Sequence, residues 1–276
     1  MLYRLLALDL DGTAIELGQM PTPRVRQAVA AAGERGVRVV VATGRPYASA
    51  RKFQAGLELE TPLICFQGAL VKEVSGARAT LLAQPLPEEP LAEVIALVEQ
   101  HGWEFNLYSE DFIYLARMNH PESFYERWFG LPCAPVPSLT EALRVMRARG
   151  TPPLKAMFIG EPDFIDRLTP EVQERYGDRF AVVRSHTLFS EITAPGVSKG
   201  SALAFLAHRY GIAREETIAA GDNGNDASMI EWAGLGVAMA NATPEAMAVA
   251  KWVAPSVAED GVADLIDRYI LCDERC

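Results

Sequence analysis

The stretch LALDLDGTAI, residues 6–15, places two carboxylates, Asp9 and Asp11, directly after an apolar run. A continuous apolar run of this length is typical of a strand that is buried on both faces of a parallel sheet. Two like charges at the end of such a strand repel each other and lose hydration on burial. The stretch therefore predicts a buried strand that ends in a functional site, with a cation beside the two carboxylates.

Other parts of the chain repeat the alternation of short β-rich runs with segments of helical period. VRVVVA (37–42) and TIAAG (217–221) are such runs, and residues 21–36 have a helical pattern with Thr22 as its cap and Gly36 past its end. The alternation predicts an α/β fold with a Rossmann-like, doubly wound parallel sheet.

The middle of the chain has a different pattern. A predicted helix precedes two aromatic-rich runs, WEFNLYS (103–109) and DFIYLAR (111–117), which we expect to pair antiparallel, and a second unit of one helix and two strands follows. This repeated pattern predicts an inserted α/β domain over residues 84–189. The catalytic core would then consist of residues 1–83 and 190–276 together.

Composition narrows the function classes. The formal net charge of −10 disfavours a nucleic-acid surface, and no apolar run is long enough to cross a membrane. The cysteines lack CxxC spacing, which predicts free thiols in a reducing compartment and hence a cytoplasmic protein; they are Cys65, Cys133, Cys272 and Cys276.

Polar residues follow three of the predicted strands. Because ligands bind at the carboxyl ends of strands in an open parallel sheet, we expect these three segments to form one site. Carboxylate oxygens without histidine or cysteine favour Mg²⁺. The candidate residues are Asp9, Asp11 and Thr13; Thr43, Gly44 and Arg45; and Asp222, Asn225 and Asp226.

Lys199 lies in GVSKG, just before a predicted helix. An ammonium group is a compact charge that suits a phosphoryl oxygen or a carboxylate.

The segments DLDGT (9–13), ATGR (42–45), GVSKG (196–200) and GDNGND (221–226), in this order, resemble the four motifs of the haloacid dehalogenase superfamily. The long insertion and the tail EDGVADLI (259–266) resemble those of the Cof-type phosphatases with an α/β cap. The resemblance implies a Mg²⁺-dependent phosphatase that hydrolyses a small phosphorylated metabolite through an aspartyl phosphate. In this interpretation the insertion is a cap that determines specificity.

The resemblance also implies a role for each motif residue. Asp9 would be the nucleophile, and Asp11 the general acid and base. Thr43 and Lys199 would stabilise the transferring phosphoryl group. The metal ligands would be Asp9, the backbone carbonyl of Asp11, Asp222 and Asp226, and the residues in contact with substrate would be Thr43, Gly44, Arg45, Gln67, Lys199 and Asn225.

Two of these assignments stay open on the sequence. Family members commonly have NGA where this chain has Gln67-Gly68-Ala69, so a role for Gln67 in binding phosphate is uncertain. Arg45 suits either the substrate or a neighbouring carboxylate.

The same core serves other functions. A phosphomutase or phosphotransferase would return the phosphoryl group to an organic acceptor, and a phosphorylatable regulatory module shares the pairing of acidic residues, threonine and lysine. The expected partner is a small phosphorylated metabolite, bound by a monomer or a homodimer. The cations of the insertion that could contact the leaving group are Arg117 and Arg184 first, then His120, Lys155 and His186, whereas its aromatic residues are expected mainly in its core.

Overall fold

A computed structural model of the chain describes residues 2–272. The predicted cap of the first helix is confirmed, since the side-chain oxygen of Thr22 accepts a hydrogen bond from the backbone N–H of Val25. The elements of this first part are β1 (Leu5–Leu8), α1 (Pro23–Glu34), β2 (Arg38–Ala42), α2 (Tyr47–Gly56), β3 (Leu63–Cys65), β4 (Leu70–Lys72) and β5 (Thr80–Ala83).

The middle part contains more elements than the sequence pattern predicted, since two helices and a strand within residues 122–149 lie between the two predicted units. Its elements are α3 (Glu88–His101), β6 (Glu104–Tyr108), β7 (Ile113–Leu115), α4 (Glu122–Phe129), β8 (Cys133–Pro135), α5 (Leu139–Arg149), β9 (Lys155–Ile159), α6 (Pro162–Tyr176), β10 (Ala181–His186) and β11 (Phe189–Thr193). The expected antiparallel pairing of the two aromatic-rich runs is confirmed, with Leu107 of β6 opposite Tyr114 of β7.

The last part returns to the alternation of helix and strand. Its elements are α7 (Lys199–Tyr210), β12 (Thr217–Gly221), α8 (Ala227–Trp232), β13 (Leu235–Met239), α9 (Pro244–Val249), β14 (Trp252–Ala254) and α10 (Gly261–Ile266).

The first and last parts of the chain share one eight-stranded sheet, in the order β14-β13-β12-β1-β2-β3-β4-β5. Strands β14 to β3 are parallel, and β4 and β5 extend the sheet antiparallel. Strand β1 is central, with Leu8 opposite Ala220 of β12 and Val41 of β2. Alternate residues of β1 belong to two different apolar clusters, one of which contains residues of α1 and the other residues of α7. Helices therefore cover both faces of the sheet. The predicted doubly wound α/β fold is confirmed.

The second sheet has six strands in the order β10-β11-β9-β6-β7-β8. On one face Phe105 and Phe158 pack with helices α3, α5 and α6. On the other face Tyr108 and Met157 belong to the same apolar cluster as β1 and β2, so this sheet lies over the first one. Its last strand, β11, continues past residue 189, the predicted end of the insertion.

Two further features bear on the sequence predictions. Within residues 2–272 no helix combines the length and the apolar character that a membrane span requires. Cys65 and Cys133 are free thiols, whereas Cys276 lies outside the described residues.

Candidate active site

The polar ends of three neighbouring strands meet at one edge of the eight-stranded sheet. Asp9 follows β1, Thr43 follows β2 and Asp222 follows β12, and both β2 and β12 pair in parallel with β1. Parallel pairing brings the three carboxyl ends to the same edge. The structure therefore brings together the strand-end residues that the sequence singled out.

Lys199 connects two of these segments. It is the first residue of α7, and its Nζ donates to Oδ1 of Asp9 and to Oδ1 of Asp226, at 2.6 Å in each case. Its side chain is 1% exposed and that of Asp226 is fully buried. The other oxygen of Asp226, Oδ2, accepts from the backbone N–H groups of Asp222 and Asn223, each at 2.9 Å. Asp226 thus fixes both the ammonium group and the loop after β12.

Three carboxylates form a tight cluster here. One oxygen from each of Asp9, Asp222 and Asp226 lies within 4.8 Å of the others. Burial, followed by repulsion from Asp226, raises the pKa of Asp9 well above its usual range, and the same causes raise the pKa of Asp222 to about 7. Burial by itself would lower the pKa of Lys199, but Asp226 and Asp9 more than offset it and hold the ammonium form.

The bend after β1 depends on Gly12. Its φ is +89°, and a Cβ atom there would lie 2.3 Å from Oδ2 of Asp222. Only glycine allows the two segments to approach this closely. The hydroxyl of Thr13 then donates to Oδ1 of Asp222 at 3.0 Å.

The carboxylate of Asp11 is bound by Arg45. Nε of Arg45 donates to Oδ2 of Asp11 at 2.5 Å, and a terminal nitrogen donates to Oδ1 at 2.6 Å, which is a bidentate pair. Arg45 also donates to the hydroxyl of Ser49 and lies over the ring of Phe53. Of the two roles left open for Arg45, this structure shows contact with a neighbouring carboxylate.

Gln67 lies at the centre of a polar network. Its backbone is left-handed, with φ at 60°, and its side-chain oxygen accepts from Nδ2 of Asn225 at 3.0 Å. Its Nε2 donates to Oε2 of Glu191 at 3.3 Å. A Cβ atom on Gly44 would lie 2.4 Å from that nitrogen, so Gly44 leaves the room that the longer glutamine needs.

A cavity of about 360 Å³ opens above these residues. The eight-stranded sheet and its loops supply most of the predicted residues, whereas α4 and the six-stranded sheet supply the opposite wall. Residues of that wall that the sequence analysis did not single out are Trp128, Phe129, Met157, Ser185, Phe189 and Glu191. For Glu191 the signal was a lone carboxylate within a short predicted strand, LFSEIT (188–193).

The expectation for the cations of the insertion was partly wrong. Lys155 and His186 line the cavity, but Arg117 and Arg184 do not. Arg117 donates to the carbonyl of Gly102, and Arg184 forms an ion pair with Asp166.

The remaining predicted residues have clear positions. The hydroxyl of Thr43 is buried and accepts from the backbone N–H of Arg45 at 3.1 Å. His120 lies near Glu104, with 3.8 Å between Nε2 of His120 and Oε2 of Glu104. A further side chain supports the bend after β1, since Nδ2 of Asn241 donates to the carbonyl of Gly12 at 2.9 Å.

A doubly wound sheet with an acidic site at its strand ends, under a second sheet, is the architecture of hydrolases that have a Rossmann-like core and a cap. The chain belongs to the haloacid dehalogenase-like hydrolases, whose family model matches residues 6–266. It is 32% identical to YxeH of Bacillus subtilis over 274 residues, 98% of this chain and 99% of the relative. It is 28% identical to the pyridoxal phosphate phosphatase YbhA of Escherichia coli over 285 residues, 98% of this chain and 100% of the relative.

Solved structures agree with this assignment. A haloacid dehalogenase-like hydrolase from Bacteroides thetaiotaomicron matches with a TM-score of 0.82 at 26% identity, over 96% of this chain and 99% of the other. The protein TM0651 from Thermotoga maritima matches with a TM-score of 0.80 at 27% identity, over 99% of each chain. The chain is a phosphatase of this family.

Proposed function

We propose that this enzyme hydrolyses phosphate monoesters through a covalent aspartyl phosphate on Asp9, with Mg²⁺ as its cofactor. The observation that carries the proposal is the pair of hydrogen bonds from the buried Lys199 to Asp9 and Asp226. They fix one oxygen of Asp9 and leave the other for attack on phosphorus.

The donor set fits a hard divalent cation. Buried carboxylates this close together repel one another, and oxygen ligands are those that Mg²⁺ prefers. Asp9, Asp222 and the backbone carbonyl of Asp11 would hold the ion. Because both oxygens of Asp226 already accept hydrogen bonds, Asp226 would act mainly by holding Lys199 and the loop after β12. When bound, the ion would neutralise charge on the transferring phosphoryl group.

In the first chemical step the free oxygen of Asp9 forms a bond to phosphorus while the bond from phosphorus to the ester oxygen breaks. Lys199 and Thr43 stabilise the phosphoryl oxygens in this step. Asp11, protonated, gives its proton to the departing alkoxide.

In the second step Asp11 takes a proton from water, and the resulting hydroxide attacks phosphorus. The bond between phosphorus and Asp9 breaks, which releases inorganic phosphate and restores the carboxylate. Asp11 cannot serve as an acid while Arg45 holds both of its oxygens. We propose that the transferring phosphoryl group of the bound substrate draws Arg45 away and frees Asp11, so that Arg45 stays paired with an anion.

Gly44, Gln67 and Asn225 would complete the substrate site beside Thr43. The Oδ1 atom of Asn225 is buried and has no hydrogen-bond partner among the described residues, so it can accept from a group that enters the cavity. Gln67 would act by positioning Asn225, since the two side chains are hydrogen-bonded.

We also propose that different parts of the chain have different roles. Residues 1–83 and 190–276 would form the catalytic core, and residues 84–189 a cap that excludes water and contacts the leaving group. The protein would work in the cytoplasm as a monomer or a homodimer.

The test is phosphate release from a panel of phosphorylated metabolites with and without Mg²⁺, ranked by kcat/KM. The panel includes pyridoxal phosphate, because YbhA is named for it. Mass spectrometry of the enzyme quenched during turnover should find the phosphoryl group on the peptide that contains Asp9. Release of phosphate without labelling of that peptide would contradict the covalent mechanism.

A further inference from the structure

The wall of the cavity that lies across from the acidic site is aromatic. Trp128 of α4 contacts Phe189 of β11 edge to face, with 5.2 Å between the ring centroids, and its centroid lies 4.8 Å from that of His186. Phe129 packs on Phe189 at 5.5 Å. All four of these rings line the cavity. Such surfaces favour flat, polarisable partners, which stack or meet them edge to face.

The cations that line the cavity are already paired. Nζ of Lys155 lies 2.9 Å from Oε2 of Glu191, and Arg45 forms the bidentate pair with Asp11. The remaining charged side chains in the lining are carboxylates. A leaving group with a second phosphate or a carboxylate would therefore meet repulsion and find no unpaired cation among the described lining residues.

The polar groups of the wall are engaged as well. Ser185 donates its hydroxyl proton to Glu191, and Lys155 donates to the carbonyl of Gly44. A sugar has several hydroxyl groups, each of which costs free energy when it is buried without a partner. The wall therefore offers few hydrogen-bond partners to the hydroxyl groups of a sugar.

His186 gives the wall one polar contact. Its Nδ1 accepts from the backbone N–H of Leu188 at 3.2 Å, which places the proton of the neutral ring on Nε2. Burial, with Arg184 as a smaller cause, lowers the pKa of His186, so the ring is neutral near pH 7. The wall thus offers the Nε2–H of His186 as a donor within an aromatic surface.

We propose that the preferred substrates are monophosphate esters whose alcohol carries an uncharged, planar aromatic or heteroaromatic ring, packed against Trp128, His186 and Phe189. The inference rests on the proposed phosphatase mechanism, because the phosphoryl group places the ring. An acceptor atom on the ring, such as a ring nitrogen or a carbonyl, would meet Nε2–H of His186.

The test compares two esters with nearly the same size and leaving group, benzyl phosphate and cyclohexylmethyl phosphate. We expect kcat/KM with Mg²⁺ to be about tenfold higher for the aromatic ester. Glucose 6-phosphate and fructose bisphosphate should be poorer substrates than benzyl phosphate. Equal values for the two ring esters, or a preference for the sugar phosphates, would overturn the proposal.

A substitution of Trp128 tests whether this side chain causes the preference for the aromatic ester. Trp128→Leu should remove most of the preference for benzyl phosphate, whereas the control Trp103→Leu, outside the cavity lining, should keep it. A preference that persists in folded Trp128→Leu would overturn the role of this wall. If Trp128→Leu does not fold, the comparison of the two esters with the unaltered enzyme still tests the proposed substrate preference. Failure to release phosphate from any ester would instead contradict the proposed function itself.

Discussion

Lys155 and Glu191 form an ion pair inside the protein, with 2.9 Å between Nζ and Oε2 and with both side chains at most 5% exposed. Both residues belong to the six-stranded sheet, yet their contacts reach the loops of the other sheet. Lys155 donates to the carbonyl of Gly44, and Glu191 accepts from the side chain of Gln67. The pair therefore joins the two sheets next to the candidate active site.

Removing one partner of this pair should destabilise the protein strongly. Lys155→Met leaves the carboxylate of Glu191 buried without its counter-ion, and we expect a loss of about 3 kcal/mol in the free energy of unfolding. The double variant Lys155→Met/Glu191→Gln, which removes both charges, should recover much of that loss. Urea denaturation of the single and double variants measures the coupling. The exposed pair Arg179–Glu93 is the control, and its loss should change stability little. If the effects of Lys155→Met and Glu191→Gln on the free energy of unfolding simply add, the two side chains do not stabilise each other.

Asp9→Asn should abolish turnover and leave the fold intact, because the amide has nearly the same shape but is a poor nucleophile. Steady-state phosphate release measures the effect, and circular dichroism checks the fold. The matched control is Asp166→Asn, a surface carboxylate paired with Arg184, which should retain full activity. Retention of more than a small residual kcat by Asp9→Asn would exclude Asp9 as the nucleophile.

Chelation of divalent cations should abolish activity, and Mg²⁺ should restore it. Ca²⁺ should fail, because its looser and higher coordination does not suit in-line transfer. Asp222→Ala should raise the Mg²⁺ concentration needed for half-maximal activity or eliminate activity altogether. Titration of activity with Mg²⁺ for both forms of the enzyme provides the measurement. Unchanged Mg²⁺ dependence in the variant would remove Asp222 from the metal site.

Gly12→Ala should lower kcat/KM by about a hundredfold, since a small displacement of reacting groups costs this much. The added Cβ would lie 2.3 Å from Oδ2 of Asp222, and φ at this position is +89°. Gly18→Ala is the control, because Gly18 also has a positive φ, +78°, but nothing lies within 4 Å of its Cβ position. Similar activity of the two variants would show that backbone strain, and not the approach to Asp222, is what matters at Gly12.

The sequence predicted the strand-end residues well because their position depends on local features. An apolar strand followed by a carboxylate fixes where Asp9 and Asp222 lie along the sheet once parallel pairing is known. Helix α4 was missed because it is short and rich in aromatic residues, which are weaker helix formers. Trp128 was therefore not recognised as part of the cavity wall.

The wrong expectation for Arg184 has a different cause. Residues two apart on a regular strand share a face, so a regular β10 would place Arg184 and His186 on the same face. The pairing register of β10 with β11 shifts between these two residues. Such an irregularity redirects side chains, and here His186 lines the cavity while Arg184 pairs with Asp166. Nothing in the local sequence identifies that shift.

The central position of β1 has a consequence for how the protein is made on the ribosome. One neighbour of β1 is β12, in which Thr217 lies opposite Leu5, so the first strand must wait for a partner that is synthesised near the end of the chain. The six-stranded sheet, in contrast, is built from strands between Glu104 and Thr193 and can form as soon as that segment has emerged. Contacts between distant parts of a chain form slowly. Nascent chains that stall before Thr217 should therefore carry a structured middle and an exposed apolar β1, which is a binding site for chaperones.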